Sequence, residues 1–203
     1  MGERKQDRRD AILTAARKIV RRHGPDALTF DAVADAVGIS KQAVLYWYPN
    51  KARLIEAIVR PALEAEAAAA LGASTAGLTP QVALRTTLEA LAVFHLADLD
   101  RFRLMYVAPQ IGRRSSGQSQ SLTTLGRIHP ATVKMYDALA KHLIAAGRVN
   151  GERGARRQAT ALHTALLGLI LRLAMADALN APLKREEGVL VDALLDIIAP
   201  DAA

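Results

Sequence analysis

The chain has 203 residues, no cysteine and a formal net charge of +7, with 51% of its residues hydrophobic and only 4% aromatic. That length holds one large domain, or a small one plus a larger one, and can bury a sizeable core. The lack of cysteine excludes disulfides and thiolate metal sites, and the dominance of Ala and Leu over β-branched runs points to an all-α fold.

The first ten residues are charged and no apolar stretch follows them, so they do not read as a secretory signal. Gln6 stands where a myristoylation motif needs Ser or Thr. From Arg8 to His23, Ile12, Ala15, Ala16, Ile19 and Val20 fall at helical spacing, with Arg17, Lys18, Arg21 and Arg22 on the other face. Gly24-Pro25 ends that helix. Thr29 caps a second one, whose stripe is Phe30, Val33, Ala34 and Val37, and Gly38 stops it. Ser40 caps a third helix, bounded by Pro49, and Asn50 caps a fourth running from Lys51 to about Leu71.

Residues 71–79 read as a loop, and Pro80 as the first residue of a helix reaching about Asp98. A short helix is expected over 100–108 and a polar loop over 111–121. Pro130 restarts a helix that continues to about Ala146. A long apolar helix covers 155–179, and a last one covers 186–198 with Leu190, Val191, Leu194, Leu195 and Ile198 on one side. The apolar stretch from Ala159 to Leu179 carries His163, Arg172 and Asp177, which reads as a buried protein helix and not a bilayer span. A soluble, cytoplasmic protein without a membrane partner is expected.

Charge is uneven along this order. Residues 1–60 carry 12 Lys/Arg against 7 Asp/Glu, and residues 61–203 carry 15 against 13. A locally basic first third suits an anionic partner, with double-stranded DNA first among them. Helices two and three, joined around Gly38, have the pattern of a helix-turn-helix: a small Ala34 for close crossing, a glycine for the tight turn, and apolar Val37, Ile39, Val44 and Trp47 on the inner side. The outer face of the third helix then presents Ser40, Lys41, Gln42, Leu45 and Tyr46. Residues near the start of such a helix read bases. Gln42 suits adenine, and Lys41 guanine or a phosphate. Ala43 or Leu45 can meet a thymine methyl, and Tyr46 can hydrogen-bond a phosphate. Trp47 and Tyr48 are expected to anchor the helix inside. Lys51 and Arg53 oppose the macrodipole of the fourth helix, a conflict that a phosphate docked on its N-terminus, shared with Lys51, would remove. Thr29 can also donate to a phosphate.

Residues from about Arg8 to Val59 resemble the DNA-binding domain of tetracycline-repressor (TetR) family regulators. The carriers are Thr29-Phe30-Asp31-Ala32-Val33-Ala34, Gly38-Ile39-Ser40, Tyr46-Trp47-Tyr48-Pro49 and Asn50-Lys51. The resemblance implies an N-terminal three-helix domain over residues 1–50, extending to about 60 with the connecting helix. It further implies a helical ligand-binding and dimerisation domain over 51–203. A homodimer built from the last two helices and a small-molecule effector that releases a repressor from DNA are implied with it. Many members place a tyrosine where this chain has Leu45; Tyr46, one place later, is assigned the phosphate contact here.

The long apolar helix offers Ala159, Ala161, Ala165 and Gly168 for close helix approach in a dimer. An effector pocket among the helices between Pro80 and Leu179 has His95, Phe102, Met105, Tyr106, Met135, Tyr136 and His163 as candidate lining, a mixture suited to an apolar or aromatic ligand. The histidines are too scattered in sequence to form a metal-ligand spacing, and no cofactor is expected. No HExxH, phosphate-cradling glycine loop or nucleophile–base pairing is present, so a non-enzymatic regulator is preferred. The alternatives are an all-α carrier or enzyme with an incidental basic head, and a nucleic-acid packaging protein, which a charge of only +7 disfavours.

Overall fold

A computed structural model describes residues 2–73, 77–107 and 129–200, and no strand occurs among these described residues. The expected loop at 111–121 lies outside them. The helices are α1 (Gly2–His23), α2 (Phe30–Val37), α3 (Lys41–Trp47), α4 (Lys51–Ala73), α5 (Pro80–Leu96), α6 (Leu99–Phe102), α7 (Pro130–Ala145), α8 (Glu152–Ala178) and α9 (Glu187–Ile198). A wider π-type turn, Arg103–Val107, follows α6, and 3₁₀ turns precede α2 and α9.

The starts of the helices follow capping chemistry. Thr29 Oγ1 accepts from Ala32 N at 3.0 Å, Ser40 Oγ from Ala43 N at 3.2 Å, Asn50 Oδ1 from Arg53 N at 2.9 Å, and Thr79 Oγ1 from Val82 N at 3.3 Å. Each such cap satisfies a donor the helix cannot, worth about 1 kcal/mol. Pro80 and Pro130 both stand at the first helical position, where the missing N–H costs nothing. Pro61 is different: it lies inside α4, where it deprives the carbonyl of Ala57 of its helical donor. α1 begins at Gly2, six residues before the expected start at Arg8. Good helix formers and a Gln6–Asp10 hydrogen bond at i, i+4 spacing extend it.

The chain divides into two units, the boundary falling between Ala62 and Leu63 within α4. The first unit comprises residues 1–62 and the segment from Asp100. Its core is Ile12, Ala16, Leu28, Val33, Ala34, Val44, Tyr48, Leu54, Ala57 and Ile58, with Trp47 and Leu104 packed against it. Thus Leu104, well beyond the third helix in sequence, returns to the head. Arg21 and Asp100 approach to 4.0 Å in the same unit.

The second unit, residues 63–99 and 129 onward, packs α8 along α7, with α5 and α9 completing a four-helix group. Leu84, Leu88 and Leu91 of α5 meet Met135, Leu139 and Leu143 of α7, Leu166 of α8 and Leu195 of α9. Two arginines secure the end of α9. Arg85 pairs with Asp196 at 2.9 Å and donates to the Ala199 carbonyl at 3.3 Å, while Arg148 donates to the Ile198 carbonyl at 2.6 Å. Cations at a helix C-terminus satisfy its orphan carbonyls and complement its dipole. Ala159 is fully buried here, so it serves the core of its own chain and not an outer contact face.

Candidate nucleic-acid interface and buried polar cluster

The turn between α2 and α3 depends on one backbone conformation. Gly38 has φ 74°, ψ 39°, its N–H reaches the carbonyls of Ala34 and Asp35, and Ile39 N bonds the Ala34 carbonyl at 3.0 Å. A β-branched residue is strained at that φ. Because the turn is so short, α3 starts two residues after it, and Val44 at its middle is fully buried against Val33 and Ala34. Fixing Val44 inward fixes what faces outward.

Ser40, Lys41, Gln42 and Tyr46 are exposed, and Ala43 and Leu45 are half-buried. Tyr46 is 74% exposed and stands edge-on to Trp47, ring centroids 5.3 Å apart. Trp47 is half-buried and Tyr48 buried, with the Tyr48 hydroxyl accepting from Arg9 Nε at 3.2 Å. The aromatic triplet therefore splits into one exposed ring and two anchors. Thr29 is exposed, its oxygen engaged in capping α2. Lys51 is half-buried in the first turn of α4, beside the Asn50 cap. Arg53, the other cation there, is held by Glu56 at 2.9 Å, and Glu56 also meets Arg60 at 3.3 Å. Much of the expected dipole conflict at Arg53 is thus relieved from within the helix.

One partner was not legible in the sequence. Lys41 Nζ lies 2.8 Å from Asp31 Oδ2, an ion pair joining the first turns of α2 and α3. Both side chains are half exposed or more, so the pair is weak and exchangeable.

The second unit carries a cluster of polar side chains in its interior. His95 Nε2 lies 2.9 Å from Glu66 Oε1, His163 Nε2 lies 3.3 Å from the same oxygen, and Tyr136 Oη lies 3.0 Å from His163 Nδ1. Glu66, His95 and His163 are at most 1% exposed. Burial and the nearby Glu66 carboxylate push the Tyr136 hydroxyl above its ordinary pKa, so it remains a phenol at neutral pH.

The structure brings together three of the candidate pocket residues, His95, Tyr136 and His163. Met135 is fully buried in the apolar core of the same unit. Phe102, Met105 and Tyr106 belong to the first unit instead, with the Phe102 and Tyr106 rings 5.4 Å apart. Glu66 was missed. Its signal was its place: the other buried residues of α4 are Leu54, Ala57, Ile58, Val59, Ala67 and Ala70, so a carboxylate stands where an apolar residue belongs. Sequence spacing gave no metal-ligand set among the histidines. That argument does not survive folding, which brings donor atoms of Glu66, His95 and His163 within 4.8 Å of one another. A surface depression of about 360 Å³ also opens on the first turns of α8, lined by Glu152, Arg153, Arg156, Arg157 and Thr160, none of them a sequence candidate.

Residues 12–58 match the family model described as bacterial regulatory proteins, tetR family. Against curated protein sequences the chain has no match. Among solved structures it is similar to a TetR variant from Acinetobacter baumannii AYE in complex with minocycline, with 16% identity, coverage of 93% of this chain and 92% of that one, and a TM-score of 0.66. It is similar to a TetR transcription regulator from Haloarcula marismortui at 23% identity, covering 96% and 97% of the two chains with a TM-score of 0.65. The TetR-family regulator PfmR from Thermus thermophilus resembles it at 24% identity, 95% and 98% coverage and a TM-score of 0.62. At these identities the likeness extends to the fold.

Proposed function

We propose that this chain, which carries a TetR-family DNA-binding domain at its N-terminus and has the fold of TetR-family transcriptional regulators, is a ligand-responsive, sequence-specific repressor that leaves a palindromic operator when a small apolar or aromatic molecule binds its body. The observation that carries the reading is the outward row of α3: Ser40, Lys41, Gln42 and Tyr46 exposed on a short helix whose opposite side is locked by Val44. Gln42 reads a base edge in the major groove, with Lys41 beside it. Tyr46, Thr29 and Lys51 take phosphates and set the register. Ala43 and Leu45, only half exposed, are left to meet a thymine methyl.

The body supports a dimer. α8 is long and apolar enough to cross a bilayer by composition, yet one face of it remains exposed after the body has folded. That face holds Ala161, Ala165, Gly168, Leu171 and Met175, with Thr164 and Arg172 among them. α9 adds an exposed row of Val189, Ala193 and Ile197. Small residues on one helix and apolar ones on its neighbour suit a four-helix contact between two subunits. An effector is supported by polar groups converging inside an apolar body, the usual composition of a small-molecule site, and by the minocycline bound to a protein of the same fold.

Selection of bound sequences from a random double-stranded oligonucleotide pool, at near-physiological salt, tests the reading. A palindrome enriched by the full-length protein is expected. An unenriched pool, recovered with an intact dimer, overturns it. On the selected operator, Lys51→Ala is expected to weaken binding to all sequences and to reduce the salt slope by about one. Gln42→Ala is expected to lose about 1–3 kcal/mol at particular base pairs only, relaxing preference there. Fluorescence anisotropy across operator variants and salt concentrations separates the two. An unchanged slope removes Lys51 from the phosphate contacts, and a wild-type preference profile removes Gln42 from the bases.

A further inference from the structure

The cluster inside the second unit is more than a buried ion pair. Glu66 comes from α4, His95 from the last turn of α5 and His163 from the middle of α8. All three side chains are closed off from solvent. Both histidines turn the same nitrogen, Nε2, toward one carboxylate oxygen, at 2.9 and 3.3 Å. Two donors bound to one metal ion at about 2.1 Å stand about 3.0 Å apart at a right angle and about 3.4 Å apart at the tetrahedral angle. The two observed separations match two edges of such a coordination polyhedron, as they also match hydrogen bonds, and all the donor atoms lie within 4.8 Å of one another.

From this we infer that Glu66, His95 and His163 bind one divalent first-row transition-metal ion, zinc or iron(II) being the ions their chemistry suits. Two imidazoles and one carboxylate form a donor set that such ions take with open positions remaining. Magnesium and calcium prefer oxygen ligands throughout, and a site without sulfur does not select copper(I). The surroundings fit as well. Tyr136 Oη lies 3.0 Å from Nδ1 of His163. A proton on Nδ1, donated to that oxygen, leaves Nε2 bare and aimed at the ion, as an outer partner of a metal-bound histidine does. The positive charge also offsets that of a carboxylate buried in an apolar core. Three protein ligands leave a place for a water, or for a carboxylate, hydroxyl or keto oxygen of an incoming molecule.

The site does not rest on the DNA-binding reading, and the test uses no DNA, so failure of either leaves the other standing. Untagged full-length protein, stripped with a chelator, is titrated with Co²⁺ while the visible d–d bands are followed, and Zn²⁺ is then added in competition. One Co²⁺ per chain, displaced by Zn²⁺, is expected. Glu66→Gln and His163→Gln are each expected to weaken Co²⁺ binding at least 100-fold, and Tyr136→Phe about 10-fold. Wild-type protein that takes up neither ion at millimolar concentration overturns the proposal and leaves a hydrogen-bonded triad in its place. So does unchanged affinity in both ligand variants. Should those variants fail to fold, zinc X-ray absorption of the wild type decides: a shell with two imidazoles supports the site, and an all-oxygen shell overturns it.

Discussion

Gly168→Arg is expected to convert the proposed dimer into a folded monomer. Gly168 lies on the exposed face of α8, and a Cβ added there meets nothing within 4 Å, so the subunit itself has room for the longer side chain. Removing glycine from a helix interior even favours the helix, by about 1 kcal/mol. Across a close helix–helix contact the same arginine brings a bulky charge where the backbones must approach. Sedimentation velocity should show a monomer at concentrations where the wild type is dimeric, with unchanged helicity by circular dichroism. Affinity for a palindromic operator should fall about 100-fold or more, because two linked heads bind far better than one. A variant that stays dimeric would place the subunit contact on another face.

The second large effect is in the head. Val44 is fully buried between α2 and α3, and Val44→Asp puts a carboxylate there with no cation to meet it. The cost is about 4 kcal/mol or more, against a total of roughly 5–14 kcal/mol for a unit of some ninety residues. The head is expected to lose a large share of its stability while the body, with its own core, keeps its own. Amide exchange should lose protection in residues 1–62 and retain it in α5, α7 and α8, and DNA binding should vanish. A single cooperative loss of protection in both units would show that the head has no stability of its own.

The sequence already made the head readable because its information is local. Thr29, Ser40 and Asn50 announce helix starts, Gly38 announces the turn, and Phe30, Val33, Ala34 and Val37 recur at helical spacing. The start of α1 was missed because its first two turns carry no apolar stripe; the Gln6–Asp10 hydrogen bond supports the helix there. In the body, helix order was legible but the company each residue keeps was not. Phe102, Met105 and Tyr106 look like pocket residues by type, yet the segment from Asp100 is grouped with the head, where Leu104 joins its core. Glu66 meets His95 and His163 across 29 and 97 residues of chain, a relation no spacing rule detects, and Glu64 two positions earlier disguises it as one more surface acid.

The Asp31–Lys41 pair gives the head an internal counterion. Attraction of a protein to any stretch of duplex grows with the number of condensed cations it sets free. If Lys41 contacts DNA as proposed, its exposed pair with Asp31 partly offsets its charge, so its transfer to a phosphate or a guanine would release somewhat less than an unaccompanied lysine would. Where Lys41 finds a fitted base edge, the exchange becomes favourable. A single acidic residue can thus loosen the grip on the bulk of a genome without weakening the hold on the right site. In the proposed repressor, the consequence would be less time spent on wrong addresses.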